Sequence, residues 1–291
     1  MKKIIVNADD FGLSPSVNRA IIDCFKIGNI TSTTMMANMP GTEEAACLAA
    51  TNKGLAVGLH FCLTQGKPLT KCPTLVDADG IFLSRPVLLK KVLLRKINPI
   101  EIATELQAQF QQLYALGINI SHIDSHQHML MNPFIFKAVL NSLRQFDLPI
   151  RIVSPPLNTE GILWTRPLKQ VKQLWLFYFS EKLKKFHIPS NDRLVSIHDL
   201  KTTHKIDYSV YDFLIASTGG SNIIEVMVHP YILGDDILKM YRSEMDTMKD
   251  FLNQCEAEYR VLSERKLFEN VTAYQLVNYA ECQKIKVVKL I

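Results

Sequence analysis

The chain has 291 residues, of which 47% are hydrophobic and 21% charged, and its formal net charge is +5. The basic residues are spread along the sequence, which argues against a nucleic-acid partner. No apolar run approaches the length of a membrane span. The segment MKKIIVNADD turns acidic after three consecutive apolar residues, unlike a signal peptide, and the six cysteines show no disulfide framework. A cytoplasmic location is therefore expected.

Short β-branched or aliphatic runs alternate with longer helical patterns along the chain. Strands are predicted at Lys3–Asn7, Thr31–Met36, Leu55–His60, Asn119–Asp124, Ile150–Val153, Leu194–Ile197 and Ile223–Val228, with a weaker one at Glu258–Leu262. Helices are predicted at about 15–28, 42–52, 99–116, 133–146, 166–186, 207–217 and 240–256.

This alternation is typical of a parallel α/β sheet. Seven or eight strand–helix units in a chain of this length favour an irregular TIM-like (β/α) barrel, formed by a single domain over residues 1–291. Residues 65–97 contain Pro68, Pro73, Gly80 and Pro86 in an irregular pattern, and we interpret them as an insertion.

Reactive side chains follow several predicted strands. Asp9 and Asp10 close the first strand in NADDFG, and His60 closes the third in VGLHF. His229 closes the seventh strand in EVMVHP and is a candidate acid or base. Because functional groups of parallel α/β folds sit at the carboxyl ends of strands, these side chains are expected to meet at one rim. Two adjacent carboxylates repel each other unless a cation or a shared proton relieves them.

The segment SHIDSHQHML, residues 121–130, holds three of the eight histidines. Alternate residues of a straight strand lie about 6.6 Å apart, whereas a metal–nitrogen bond is about 2.1 Å, so one ion cannot collect the whole cluster. His122 comes earliest and is predicted to be structural, and Asp124 is expected to orient a ligand histidine. His126 is the predicted ligand and His128 a pocket residue, with both as ligands as the alternative.

Arg151 lies in the fifth predicted strand, within LPIRIVSPP, among apolar neighbours. A buried guanidinium needs a carboxylate partner or water, and Asp9 is a candidate partner. Strands one, three, four and seven are thus each predicted to place a metal-binding type of residue or a titratable residue at the same rim. Such clustering favours one functional site over independent core positions.

Five stretches resemble the YdjC-like carbohydrate deacetylases, whose best-known members are chitooligosaccharide deacetylases: IVNADDFGLSPSVNRAI, TSTTMMAN, VGLHFCLTQGKPL, SHIDSHQHMLMNPFIF and EVMVHP. The resemblance spans residues 4–146 and 223–230. Residues 155–222 carry no family motif and are a predicted second insertion. The resemblance implies a TIM-like barrel of the polysaccharide deacetylase type and one divalent ion, magnesium or zinc. It also implies that the substrate is an acetylated amino-sugar oligosaccharide that loses its N-acetyl group by hydrolysis.

By position, the resemblance implies three metal ligands: Asp10, His60 and His126. It implies that Asp9 is the catalytic base and that His229 is a histidine acid. Arg151 resembles an arginine that orients the base, although its surroundings match that pattern only loosely. In such a site the base takes a proton from water, the ion polarises the acetyl carbonyl, and the acid protonates the departing nitrogen.

Other interpretations are kept beside this one. Residues 169–185 place lysines around the apolar stretch Leu174–Phe179, a pattern that could lie on a membrane surface and admit a lipid-linked amino sugar, as in the hopanoid-associated branch of the family. Packing on the barrel or at a homodimer interface is the alternative for this helix. Trp164, Trp175 and Tyr178 could stack on sugar rings or pack in the core. A non-catalytic, metal-containing carbohydrate-binding protein and a metal-dependent sugar isomerase are the other functional hypotheses.

Overall fold

A parallel sheet forms the centre of the computed structural model, which describes residues 2–154, 167–200, 206–267 and 274–281. The strands are β1 (Lys2–Phe11), β2 (Ser32–Met35), β3 (Ala56–Phe61), β4 (Ile123–Ser125), β5 (Arg193–Val195), β6 (Ile223–Val228) and β7 (Tyr274–Leu276). They lie in the order β4-β3-β2-β1-β6-β5, and β7 pairs with the first residues of β1. All of these pairings are parallel, so the carboxyl ends of the strands share one edge.

Helices connect the strands. Within the described ranges they are α1 (Pro15–Ile27), α2 (Thr42–Thr51), α3 (Arg85–Leu93), α4 (Pro99–Ala115), α5 (Pro133–Phe146), α6 (Pro167–Lys184), α7 (Tyr208–Ala216), α8 (Asp235–Met240) and α9 (Met245–Glu264). Short 3-10 helices cover His126–Met131, Ile197–Asp199 and Arg242–Glu244. Helix α1 shows why the ends fall where they do: the Ser14 hydroxyl accepts from the Val17 N–H, proline follows, and Gly28 ends the helix at φ 93°.

The sheet curls into a half-barrel, and residues 150–154 lie between its two edges. Ile150 forms isolated bridges with Ile123 of β4 and with Ser190. The Leu194 N–H of β5 donates to the carbonyl oxygen of Ser154 at 3.1 Å. These contacts are too sparse for a regular strand, so Ile150–Val153 is irregular, and a complete TIM barrel stays a prediction.

The other predicted strands and helices are confirmed apart from shifted ends, with one exception. The strand predicted at Glu258–Leu262 is wrong, because these residues lie inside α9. The buried positions Leu252, Cys255 and Leu262 follow helical spacing there, which a short apolar run does not reveal by itself. Helices α3 and α8 and strand β7 were not predicted, and α3 falls in the expected insertion at 65–97.

No helix in the described ranges is long and apolar enough to cross a bilayer. On α6, Leu174, Trp175 and Tyr178 are about half exposed or more, whereas Phe179 packs into the core. Trp164 and the side chains of Lys169 and Lys172 lie outside the described residues. Contact of 169–185 with a membrane surface or a second copy of the chain therefore stays a prediction.

Candidate active site

Asp9 and Asp10 lie side by side at an irregularity near the end of β1. The register of β1 against β2 shifts by one residue between Ala8 and Phe11. Asp10 has a φ of 66°, in the left-handed region that non-glycine residues rarely adopt. A bulge of this kind lets adjacent side chains, which would otherwise point to opposite faces, reach one site. Both carboxylates are only 2% exposed.

Three chain segments each place one donor atom around a common point. The Oδ1 of Asp10 lies 3.2 Å from Nε2 of His60 and 3.0 Å from Nδ1 of His126, and the two nitrogens are 3.3 Å apart. With metal–ligand bonds of about 2.05 Å, neighbouring donors lie about 2.9 Å apart in an octahedral site and about 3.3 Å apart in a tetrahedral one. The spacing and the donor types of this triangle, Asp10–His60–His126, therefore fit a single divalent cation.

Asp124 contacts Nδ1 of His60, the ring nitrogen opposite the one that lies near Asp10. Its Oδ1 lies 2.6 Å from Nδ1 of His60, and its Oδ2 accepts from the Thr34 hydroxyl at 2.9 Å. Burial alone would lower the pKa of His60, but the carboxylates of Asp124 and Asp10 outweigh burial and raise it well above the ordinary value. The triangle is therefore an anionic environment that attracts a cation.

Arg151 lies among three buried carboxylates. Its NH1 and NH2 donate to Oδ2 and Oδ1 of Asp9, both at 2.6 Å, which is the pairing considered from the sequence. The same two nitrogens lie 2.6 Å from Oδ2 of Asp124 and Oε1 of Glu225. Burial alone would raise the pKa of Asp9, but Arg151 outweighs burial and holds it well below the usual range. Asp9 is consequently ionised at neutral pH.

His229 directly follows β6, with its Nε2 3.7 Å from Oδ2 of Asp9. Its backbone N–H donates to Oε2 of Glu258 at 2.7 Å, which anchors the chain at this point. Burial and the neighbouring His198 lower the pKa of His229, and Asp9 opposes them. With its pKa lowered, His229 is mainly the neutral imidazole at neutral pH, and it must gain a proton before it can act as an imidazolium donor.

The other two histidines of residues 121–130, His122 and His128, lie outside the triangle. His122 is buried, with Nε2 3.1 Å from Oδ1 of Asn7 and its ring stacked on Tyr279 at 3.9 Å. A Cβ on Gly58 would come within 2.5 Å of the His122 ring, so only glycine allows this packing on β3. His128 lines the cavity beside the triangle and has a φ of 58°.

Several site residues were missed at the level of the sequence. The Tyr231 hydroxyl donates to Oδ2 of Asp10 at 2.6 Å, and Glu225 accepts from the Tyr279 hydroxyl. Tyr231 lies two positions after His229, and this closeness to a predicted site residue could have identified it from the sequence. His198 follows β5, so the strand-end rule applied to the other histidines would have found it. Glu225, in the middle of β6, carries no local signal.

A cavity of about 1370 Å³ opens over these residues. Its lining includes Asp9, Asp10, His60, His126 and His229. Aromatic and basic side chains also line it, among them Phe82, Arg85, Lys67, Tyr241 and Phe251, whose ring contacts that of His229 at 5.6 Å. Sites for small molecules usually measure about 300–1,000 Å³, so this one has room for a larger ligand.

Known proteins resemble this chain in sequence and in fold. The chain is 32% identical over 275 residues to a carbohydrate deacetylase of Halalkalibacterium halodurans, covering 93% of this chain and 99% of that one. It is 41% identical over 167 residues to a chitooligosaccharide deacetylase of Yersinia pestis, covering 57% of this chain and 65% of that one. A crystal structure from Enterococcus faecalis V583, of a protein proposed to cleave cellobiose phosphate, superimposes with a TM-score of 0.70 at 24% identity, covering 96% of this chain and 98% of that one. That likeness shows the fold.

The family described as YdjC-like protein matches residues 3–273, a range that contains Asp9, Asp10, His60, His126, Arg151 and His229. The chain therefore belongs to the YdjC-like family.

Proposed function

We propose that this chain is a metal-dependent hydrolase that removes N-acetyl groups from N-acetylglucosamine-containing oligosaccharides. The observation that carries the proposal is the triangle of Asp10, His60 and His126 beside an ionised carboxylate, Asp9, and a buried histidine, His229. Family membership and relatives named carbohydrate deacetylase support the reaction class.

Each side chain has a task in amide hydrolysis. Asp9, kept ionised by Arg151, accepts the proton of the attacking water. His229 donates a proton to the departing nitrogen, because an amine is a poor leaving group until it is protonated. Tyr231 donates to Asp10 and fixes the orientation of that carboxylate. Buried donors held in this way need no reorganisation during the reaction.

The triangle would hold the divalent ion. Such an ion supplies Lewis-acid polarisation of the acetyl carbonyl and lowers the pKa of water. Asp124, bound to Nδ1 of His60, leaves the Nε2 lone pair of that ring for the ion, the usual arrangement around metal-binding histidines. Nitrogen and carboxylate donors suit zinc, and magnesium, which prefers oxygen ligands, would bind them more weakly.

The cavity supports an oligosaccharide as substrate. Its volume of about 1370 Å³ exceeds what one small molecule fills. Tyr241 and Phe251 line it with aromatic rings, which pack well against the apolar faces of sugars. We propose that one N-acetylglucosamine unit lies at the triangle while further units extend along the cavity.

Acetate release from N-acetylated chito-oligomers of increasing length tests the function. The enzyme is first stripped with a chelator and then assayed with magnesium, zinc or no added ion. Acetate is expected only with an ion present, and the His60→Gln variant is expected to show none. A sugar that isomerises without releasing acetate, or a wild type inactive on every oligomer and ion, would contradict the proposal.

A further inference from the structure

A second group of side chains of the types that bind metal ions includes His229. One donor atom from each of His198, His229 and Glu258 lies within 4.8 Å of the other two. Nε2 of His198 is 3.8 Å from Oε2 of Glu258, and the His198 and His229 rings meet edge to face at 4.8 Å. None of these residues belongs to the triangle of Asp10, His60 and His126.

Two nitrogens of this group are buried without a hydrogen-bond partner among the described residues: Nε2 of His198 and Nδ1 of His229. A buried polar atom left unpaired destabilises the folded protein, so two of them on neighbouring rings need a reason.

The neighbours of each ring determine where its lone pair lies. Oε1 of Gln254, which can only accept, is 3.1 Å from Nδ1 of His198, so that nitrogen carries the proton and Nε2 keeps its lone pair. In His229, Nε2 faces the Asp9 carboxylate, which places the proton there and the lone pair on Nδ1. When both rings are neutral, the two unpaired nitrogens are electron-pair donors. Oε2 of the fully buried Glu258 lies 3.8 Å from Nε2 of His198, and this carboxylate favours the protonated His198 ring at lower pH.

We propose that His198, His229 and Glu258 form a second divalent-cation site, and that the cation is zinc. Two imidazole nitrogens and one carboxylate are a donor set that zinc takes in proteins, whereas magnesium prefers oxygen ligands. His198 and His229 line the cavity, which gives the ion a path to the site. Tetrahedral donors lie about 3.3 Å apart, so the side chains must close by roughly 1 Å, and the second site is weaker than the triangle.

Occupancy of this site has a consequence that rests on the proposed function. Zinc on Nδ1 of His229 would take the lone pair that must accept a proton if His229 is to become an imidazolium donor. Zinc beyond the amount that fills the triangle is therefore expected to inhibit deacetylation, and magnesium is not.

Zinc stoichiometry tests the site without reference to activity. The protein is titrated with zinc against a chromophoric chelator at pH 8.5, because Glu258 raises the pKa of His198 despite burial and protons compete for Nε2 at lower pH. The wild type is expected to bind two zinc ions, and His198→Gln and His60→Gln one each. His187→Asn, which changes an exposed histidine outside both groups, is expected to bind two.

Anomalous diffraction at the zinc edge locates the ions in crystals of the wild type grown with excess zinc. A peak between His198 and His229 is expected in addition to the peak at the triangle. A wild type that binds one ion, a His198→Gln variant that still binds two, or a map without the second peak would overturn the proposal. An enzyme that binds two zinc ions but releases no acetate would instead contradict the proposed function.

Discussion

Arg151 binds both carboxylate oxygens of Asp9 at 2.6 Å, across 142 residues of sequence. The same guanidinium contacts Asp124, which in turn holds the His60 ring. One buried cation therefore orients the proposed base and, through Asp124, a proposed metal ligand. The distance between base and metal site is thereby fixed by Arg151 and Asp124, which do not line the cavity.

Replacing Asp9 by asparagine is expected to remove the proton acceptor and leave the triangle intact. General-base catalysis contributes about 10²- to 10⁴-fold, so kcat should fall by about that factor while metal stoichiometry stays unchanged. Steady-state assays of acetate release together with metal analysis check both parts. Asp79→Asn, at an exposed loop position, is the matched control and should behave as the wild type. A kcat within a few-fold of wild type in Asp9→Asn would remove Asp9 from the role of base.

Replacing Asp124 by asparagine is expected to weaken metal binding without abolishing it. Loss of the carboxylate partner of a ligand histidine typically costs about 10- to 100-fold in metal affinity. His60→Gln removes a donor atom and should lose binding at the triangle altogether. Competition titrations with a chelator measure both variants. Equal affinities of Asp124→Asn and wild type would show that the 2.6 Å contact does not orient His60 toward an ion.

Replacing Arg151 by lysine is expected to destabilise the protein although the charge is kept. A single ammonium group cannot reproduce contacts to Asp9, Asp124 and Glu225 at once. Buried carboxylates left without their partner typically cost about 3–5 kcal/mol, and the free energy of unfolding should fall by up to that amount. Urea denaturation measures it, with Arg260→Lys on the surface of α9 as control. A loss below about 1 kcal/mol would be too small for a buried network of this kind.

Asp236 of α8 gives a pH-dependent contribution to stability. Its Oδ2 accepts from the Ser16 N–H at 2.9 Å, and its Oδ1 accepts from the Ser16 hydroxyl. Burial alone would raise the pKa of Asp236, but the hydrogen bonds from Ser16 outweigh burial and lower it. A depressed folded-state pKa adds stability that is present above the unfolded value of about 3.9 and is lost as pH falls through the folded value.

Asp236→Asn is accordingly expected to lower the free energy of unfolding by about 1 kcal/mol at pH 7, a modest figure because the side chain is partly solvated. The difference from wild type should shrink as pH falls from about 5 to about 2. Denaturant unfolding at several pH values measures it. Asp235→Asn, one position earlier with an exposed side chain, controls for loss of charge alone. A difference that stays constant over this pH range would show that the carboxylate does not act through its ionised form.

Local patterns in the sequence predicted most elements well. Ser14-Pro15 and Gly28 predict the start and the end of helix α1, because capping residues and proline act within a few residues. The same locality explains the failure at Glu258–Leu262. A five-residue segment that ends in two adjacent apolar residues, Val261 and Leu262, fits a strand as well as a helix. Only the packing of α9 on the core decides between them.

By itself, the sequence determined which side chains stand at the carboxyl ends of strands, since strand periodicity and turn chemistry are properties of short segments. It also carried the motifs by which the chain belongs to the YdjC-like family. Only the tertiary structure decided that Asp10, His60 and His126 approach within 3.0–3.3 Å, and that Arg151 reaches Asp9. These contacts join residues 50 to 142 positions apart, so they depend on how the sheet curls and not on any local preference. The left-handed backbone at Asp10 has the same origin, because that conformation is unfavourable for an aspartate unless the surrounding fold imposes it.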